Sequence, residues 1–238
     1  MLIFNKKALL QDHLAAALAT GTSIGFVPTM GALHAGHLSL MQQSINQNKI
    51  TVVSIFVNPT QFNNPDDLKK YPRTLEADAA KIKTLSDDII VFAPEVDEMY
   101  DGITASQHYN FDGLENQMEG AHRPGHFDGV GTIVKKLFDI VTPTNAYFGE
   151  KDFQQLQIVR KLVAKNNMNI TIVGCPISRE PNGLAMSSRN ERLTAQEKED
   201  ASFIYQTLQE AKNKFADSSI TTVKEYVAGA FAAHPEYK

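Results

Sequence analysis

The stretch Ile24-Gly25-Phe26-Val27-Pro28-Thr29-Met30-Gly31-Ala32-Leu33-His34-Ala35-Gly36-His37-Leu38-Ser39-Leu40-Met41 decides the fold. Its apolar opening predicts a strand over 24–27, and the run from His37 carries helical spacing, so the chain passes from strand to helix through a glycine-bearing turn. Gly31 and Gly36 flank that turn and let the backbone approach a ligand closely. The free amides of a first helical turn attract anions. His34 and His37, three residues apart, project to one side there, as donors whose hydrogen bonds strengthen when a transferring phosphate gains charge. For any one histidine taken alone, the alternative is a satisfied surface or core residue.

Outward from this stretch, short β-branched runs alternate with helical segments. Strands are predicted over 51–57, 89–93, 146–148 and 170–174, and helices over 37–47, 75–85, 130–140 and 153–165, the pattern of a doubly wound α/β domain. The almost wholly apolar run 51–57 suits a strand covered on both faces. No Gly-x-Gly-x-x-Gly follows the first strand, and no Gly-x-x-x-x-Gly-Lys-Ser/Thr is present, so both familiar phosphate loops are missing. Phosphate must then be held by helix N-termini and separate cationic side chains at the carboxyl ends of the strands, where open α/β sheets bind ligands.

The polar residues just after the predicted strands are few in kind: His34 and His37, then Asn58 and Gln61, then Lys151, Asp152 and Gln155. Asn58-Pro59-Thr60-Gln61-Phe62 reads as a turn that leaves two amides for the carboxylate or hydroxyl groups of a small substrate, with loop capping as the alternative. Gly149-Glu150-Lys151-Asp152 combines a glycine that permits close approach of a sugar, a carboxylate for ribose hydroxyls and a lysine for phosphate. Read singly, Asp152 is an N-cap and Lys151 a solvated charge. Met186-Ser187-Ser188-Arg189-Asn190 offers two hydroxyls and a guanidinium to a polyphosphate, or an ordinary helix cap.

Composition narrows the function classes. At 238 residues the chain fits one large domain, 1–175, and a small one, 176–238, hinged over 175–185. A net charge of -4 gives no overall basic field, so nucleic acid is not expected as a partner. No apolar run is long enough for a membrane span and Met1-Leu2-Ile3-Phe4-Asn5-Lys6-Lys7 turns polar early, so a cytoplasmic enzyme is expected. Cys175 is the sole cysteine and reads as buried filler.

His34-x-Gly36-His37 resembles the HxGH signature of the nucleotidylyltransferase superfamily, and the longer run from Pro28 to His37 resembles the pantothenate synthetase family. Segments 26–37, 53–62, Tyr71-Pro72-Arg73-Thr74, Arg123-Pro124-Gly125-His126-Phe127-Asp128-Gly129-Val130, 148–155 and 178–190 look like the family's, in its order. The resemblance implies a Rossmann-like nucleotide- and pantoate-binding domain with a small C-terminal lid. It implies ATP-dependent joining of pantoate and β-alanine through an acyl adenylate, giving AMP, diphosphate and pantothenate. ATP would be surrounded by Met30, Gly31, Ala32, Leu33, His34, Ala35, Gly36 and His37, by Gly149, Glu150, Lys151 and Asp152, and by Ser178, Met186, Ser187, Ser188 and Arg189. Gln61 and Gln155 would hold pantoate with Asn58 nearby, and Arg123 would border β-alanine, with a loop salt bridge as its alternative. His34, His37, Lys151 and Arg189 would supply cationic stabilisation. Magnesium is expected with ATP, its protein ligands unassigned; Asp78 is weighed against a solvated helix carboxylate. No tightly bound organic cofactor is implied, and a homodimer is.

Two departures from the family stand out. Ser178 occupies a place where many members have valine. After helices predicted over 195–215 and 222–233 the sequence ends, where members continue into strands, so a shortened lid is expected. Another transferase of the superfamily and a noncatalytic ATP-binding module are the competing readings; Gln61 with Gln155 favours the ligase over the first, and the histidines with Lys151 argue against the second.

Overall fold

A computed structural model describes residues 1–237. Six strands, β1 (Leu2–Phe4), β2 (Ile24–Thr29), β3 (Ile50–Ile55), β4 (Ile90–Phe92), β5 (Asn145–Gly149) and β6 (Thr171–Cys175), form one parallel sheet in the order β1-β4-β3-β2-β5-β6. From β2 the chain winds outward through β3 and β4, then returns to the other side of β2 for β5 and β6. The order therefore reverses between β2 and β5, the place where such sheets open a ligand crevice. The β2–β5 ladder registers only Gly25↔Asn145 and Phe26↔Ala146. Pro28, two residues on, has no N–H to extend it.

Neighbouring residues on each strand enter different cores, as the two-residue strand period requires. Phe26, Val52, Phe92 and Phe148 face one core with Leu10 and Leu14 of the helix Lys7–Ala19 and the apolar faces of His126–Val141 and Phe153–Lys165. Val27, Val53, Val91 and Tyr147 face the other, under Leu40 and Met41 of the helix Ala35–Gln47 and Ile82 of the helix Leu75–Lys83. Burial on both faces explains why the inner strands read as continuous apolar runs. Cys175 is buried in the second of these cores, where desolvation lifts its thiol pKa to about 11.

The strand and helix at the N-terminus were not among the predicted elements. β1 is a three-residue edge strand with Leu2 and Ile3 half exposed, and its helix buries only Leu10 and Leu14, so neither shows a full apolar period. The helix expected over 195–215 is two, Ala195–Asp200 and Ser202–Phe215, because a tighter turn intervenes where Ile204 N–H donates to Ala201 O. The last helix, Ile220–Ala232, starts earlier than expected because Ser219 accepts from Thr222 N–H as its cap.

Two compact units divide the chain, Met1–Ile177 and the part from Ser178 onward. The first holds the whole sheet. In the second, the antiparallel bridge Arg179↔Ala185 closes a hairpin, Arg179 lies over the Tyr205 ring at 4.0 Å, and its Nη1 donates to Gly183 O at 3.0 Å.

Gly129 shows how closely the first unit is assembled. A Cβ there would lie 2.4 Å from Thr60 O and 2.8 Å from Gln61 N, both main chain, so this helix turn accepts only hydrogen against the loop after β3. Gly129→Ala is expected to cost about 1–3 kcal/mol in thermal or urea denaturation; an unchanged transition would show that the loop yields freely. Gly229→Ala, with open space around its Cβ inside the last helix, should instead stabilise by about 0.5–1 kcal/mol.

Candidate active site

The turn after β2 is held from below. Thr29 Oγ1 donates to Ser54 O at 2.7 Å and accepts from Gly31 N–H. Gly31 (φ +83°) and Ala32 (φ +50°) both lie in the left-handed region, which an alanine adopts only at a cost of about 1 kcal/mol. The carboxylate of Asp78, completely buried, offsets that cost: Oδ2 accepts from Ala32 N–H at 2.9 Å and from Thr74 Oγ1, and Oδ1 accepts from Leu33 N–H at 2.7 Å. Lys81, one helical turn beyond Asp78, donates to Leu33 O at 2.6 Å. Asp78 is thus a loop anchor and not a solvated carboxylate. The signal for it was the Asp78–Lys81 spacing on one helix face, which has meaning only once the loop is known to lie there.

The anchored turn delivers His34 as the N-cap of the helix Ala35–Gln47. His34 Nδ1 accepts from Gly36 N–H at 3.2 Å, and His37 Nδ1 accepts from His34 N–H at 3.3 Å, a reciprocal cap made by two imidazoles. A backbone N–H can only donate, so each Nδ1 carries a lone pair and each neutral ring bears its hydrogen on Nε2. The rings sit 4.0 Å apart. Desolvation, followed by the charges of Lys151 and Lys81, lowers the His34 pKa; desolvation, His34 and the same lysines lower that of His37 to about 3. Both histidines are therefore neutral donors at pH 7, which corrects the expectation that they act as cations.

After β3, Asn58 is buried and wholly engaged. Its Oδ1 accepts from Tyr100 Oη and Thr60 Oγ1, and its Nδ2 donates to Gln61 Oε1 and Gly129 O. The amide expected to be free for a substrate is spent inside the protein, because the turn brings it against a helix carbonyl. Gln61 stands one step further out. Its Nε2 lies 3.1 Å from Met30 Sδ, and its backbone O accepts from Arg123 Nη2 at 3.0 Å and from His126 Nδ1 at 2.9 Å. Arg123 also pairs with Glu119 at 2.9 Å, so a loop ion pair is part of its role. Sequence reasoning assigned no function to His126, Tyr100 or Gly129; they act only on residues distant in sequence.

β5 ends at Gly149, and the single 3-10 turn Glu150–Asp152 leads into the helix Phe153–Lys165. Asp152 precedes that helix without a side-chain cap bond. Lys151 is partly exposed, paired loosely with Asp152 at 3.5 Å, and its charge acts on both imidazoles. Gln154 is buried and bound to Glu119 N–H, Leu114 O and Gln117 O, whereas the adjoining Gln155 is only half buried. The first unit thus carries His34, His37, Gln61, Arg123, Lys151 and Gln155 on segments that leave β2, β3 and β5 or open the helices beside them.

In the second unit, Met186 N–H donates to Ser178 O across the hairpin, and Ser187 Oγ accepts from Arg189 N–H at the start of the turn Ser188–Arg192. Ser187 is thus an N-cap. Among the described residues no group of three or more His, Cys, Asp or Glu could hold a metal ion.

Asp78→Ala should destabilise by at least about 2 kcal/mol, since hydrogen bonds to a buried charge are lost together; denaturation at neutral pH tests this. Nitrogen-15 NMR at pH 7 should show Nε2–H tautomers for His34 and His37 and the opposite Nδ1–H tautomer for His126. Below the ordinary value near 6.5, the unfolded chain takes up a proton that folded His37 refuses. His37 should therefore make stability fall as pH drops from 6.5 toward about 3 and contribute no slope above 6.5. His37→Gln should flatten that acid limb; an imidazole signal for His37 titrating near 6.5 would refute the assignment.

Comparison with known proteins places this arrangement. The profile of the family described as pantoate-beta-alanine ligase matches residues 2–237. The chain is 64% identical over 231 residues to a protein of Flavobacterium psychrophilum named pantothenate synthetase, covering 97% of this chain and 82% of that protein. A protein of the same name from Christiangramia forsetii is 50% identical over 100% of this chain and 84% of its own. The crystal structure of pantothenate synthetase from Thermus thermophilus superposes with a TM-score of 0.91 at 40% identity, over 99% of this chain and 84% of that one. That of pantoate-beta-alanine ligase from Francisella tularensis, complexed with beta-gamma ATP and beta-alanine, gives 0.84 at 38% identity, over 97% and 86%. With its parallel sheet reversing at β2 and β5 and its paired histidines at that edge, the chain belongs to the pantoate-beta-alanine ligase family.

Proposed function

We propose that the chain condenses (R)-pantoate with β-alanine at the expense of ATP, through pantoyl adenylate. A pantoate carboxylate oxygen attacks the α-phosphorus, and the bond to the bridging oxygen breaks as diphosphate leaves. The β-alanine amine then attacks the activated carbonyl, loses a proton and expels AMP. The observation that carries this reading is the tautomer-fixed pair His34 and His37 beside Lys151, at the edge where the strand order reverses.

The first step brings one anion onto another, and its barrier is lowered by positioning and by charge placed where the phosphoryl oxygens gain it. Two neutral Nε2–H groups donate to those oxygens without the cost of burying two more cations, and Lys151 brings the positive charge. Met30, Gly31, Ala32, Leu33, Ala35 and Gly36 form the backbone that faces ATP, and Gly149, Glu150 and Asp152 the side of the ribose and α-phosphate. Gln61 and Gln155 bind the hydroxy acid, with Asn58 supporting Gln61, and Arg123 borders β-alanine. On the second unit, Ser178, Met186, Ser187, Ser188 and Arg189 are assigned to the nucleotide. Magnesium, held by the ATP phosphates and water, would neutralise charge on the leaving diphosphate. The reading extends to a cytoplasmic homodimer, supported by the family membership; among the described residues no helix is long and apolar enough to cross a membrane.

Incubation with ATP, magnesium, D-pantoate and β-alanine should yield AMP and pantothenate in equal amounts, and pantoate alone should support ATP–diphosphate exchange. Diphosphate release that needs some other acceptor, with no pantothenate, would sink the proposal. Lys151→Ala should slow the exchange by about a hundredfold or more while shifting stability by no more than about 0.5 kcal/mol; equal losses in both would assign the lysine to folding.

A further inference from the structure

Gln61 has an amide whose two ends look alike in shape and differ in chemistry: Oε1 accepts, Nε2 donates. A carboxylate or hydroxyl oxygen of a hydroxy acid is met by the donating end. Something must choose which end faces outward, and a rotation about one bond reverses the choice.

The choice is made by a chain of hydrogen bonds that starts away from the ligand. The Gly129 carbonyl can only accept, so the end of the Asn58 amide lying 3.2 Å from it is Nδ2. Asn58 spends the second Nδ2 hydrogen on Gln61, so the Gln61 atom 3.1 Å away is Oε1. The Nε2 of Gln61 is then turned away from Asn58, beside Met30 Sδ, a soft and weak acceptor that a ligand oxygen readily replaces. The opposite end of Asn58 must have donors around it for this arrangement to hold. Tyr100 Oη supplies the short one, at 2.5 Å to Oδ1, and Thr60 Oγ1 a long one at 3.2 Å. Tyr100 is 4 % exposed, at the end of the short helix Val96–Tyr100, and Thr60 Oγ1 lies 2.9 Å from the same hydroxyl.

We propose that Tyr100 is a positioning residue for the acid substrate: acting through Asn58, its hydroxyl holds Gln61 with the N–H donors outward. The inference rests on the reading that Gln61 binds pantoate. Without the hydroxyl, Asn58 Oδ1 is left buried with one long hydrogen bond, a loss that frees Asn58 to rock and Gln61 to turn its carbonyl toward a carboxylate. The effect falls on the acid substrate and not on ATP, because the relay ends at Gln61.

The test is a double-mutant cycle on steady-state kinetics with both substrates varied. Tyr100→Phe keeps the ring and should raise the KM for pantoate about fivefold to tenfold, with kcat and the KM for ATP changed by less than about twofold. Gln61→Ala should raise the pantoate KM on its own, and Tyr100→Phe added to it should bring no further rise, because the relay then has nothing to orient. A pantoate KM unchanged by Tyr100→Phe while Gln61→Ala raises it, or full additivity of the two, overturns the role given to Tyr100. A Gln61→Ala variant with unchanged pantoate KM overturns the assignment of Gln61 itself, and the proposal falls with it. Thermal melts of each variant separate these outcomes from a folding loss, which would lower the apparent kcat and leave both KM values unchanged.

Discussion

Asp78 sits beneath a turn that the chain would not adopt unaided. Two successive residues, Gly31 and Ala32, take positive φ, and the buried carboxylate accepts from Ala32 N–H and Leu33 N–H. A carboxylate that receives several hydrogen bonds tolerates burial that would otherwise be prohibitive. Everything past the turn inherits its position from these bonds: His34 caps the helix because Leu33 is fixed, and His37 meets His34 because the cap is formed. The Thr29–Ser54 bond ties the same turn to β3, so the loop moves with the sheet and not with solvent.

The electrostatics follow from this geometry. Lys81 sends its ammonium to Leu33 O, so its charge helps hold the loop and also keeps protons off the histidines. Lys151 lies less than half exposed and only loosely paired, which leaves its charge available to an incoming anion. Two imidazolium charges beside Lys81 and Lys151 would repel one another; with neutral imidazoles that repulsion is absent, and donors stand ready before charge develops.

The fold was legible because its inner strands are covered on both faces, so Ile24 to Val27 and the run after Thr51 read as apolar blocks joined to helical patterns. The histidine loop was legible because its glycines and histidines all lie between Gly31 and His37, so their spacing is local. Asn58 misled for the opposite reason: the amide looked available, yet the Gly129 carbonyl and Tyr100 hydroxyl that engage it come from segments 71 and 42 residues away. Asp78 hid in the same way, 46 residues from the Ala32 amide it accepts from. The charge state of the histidines was unreadable from sequence, since it depends on desolvation and on two lysines brought near by folding.

One rule connects the parts of the first unit. Histidine, asparagine and glutamine each have an ambiguous orientation, because exchanging two similar atoms reverses donor and acceptor. A backbone N–H or C=O has no such freedom, and at this edge of the sheet it always decides. Amides of Gly36 and His34 assign Nδ1 of the two histidines as acceptors; the carbonyl of Gln61 makes His126 Nδ1 a donor; the carbonyl of Gly129 orients Asn58 and, through it, Gln61. The chemistry-bearing side chains are thus polarised by main chain that the sheet and its helices hold rigid. Gly129 joins packing to this rule: a Cβ there would meet Thr60 O and Gln61 N and push the loop carrying Gln61 away from the carbonyl that sets its polarity, so packing and chemistry are constrained at the same residue.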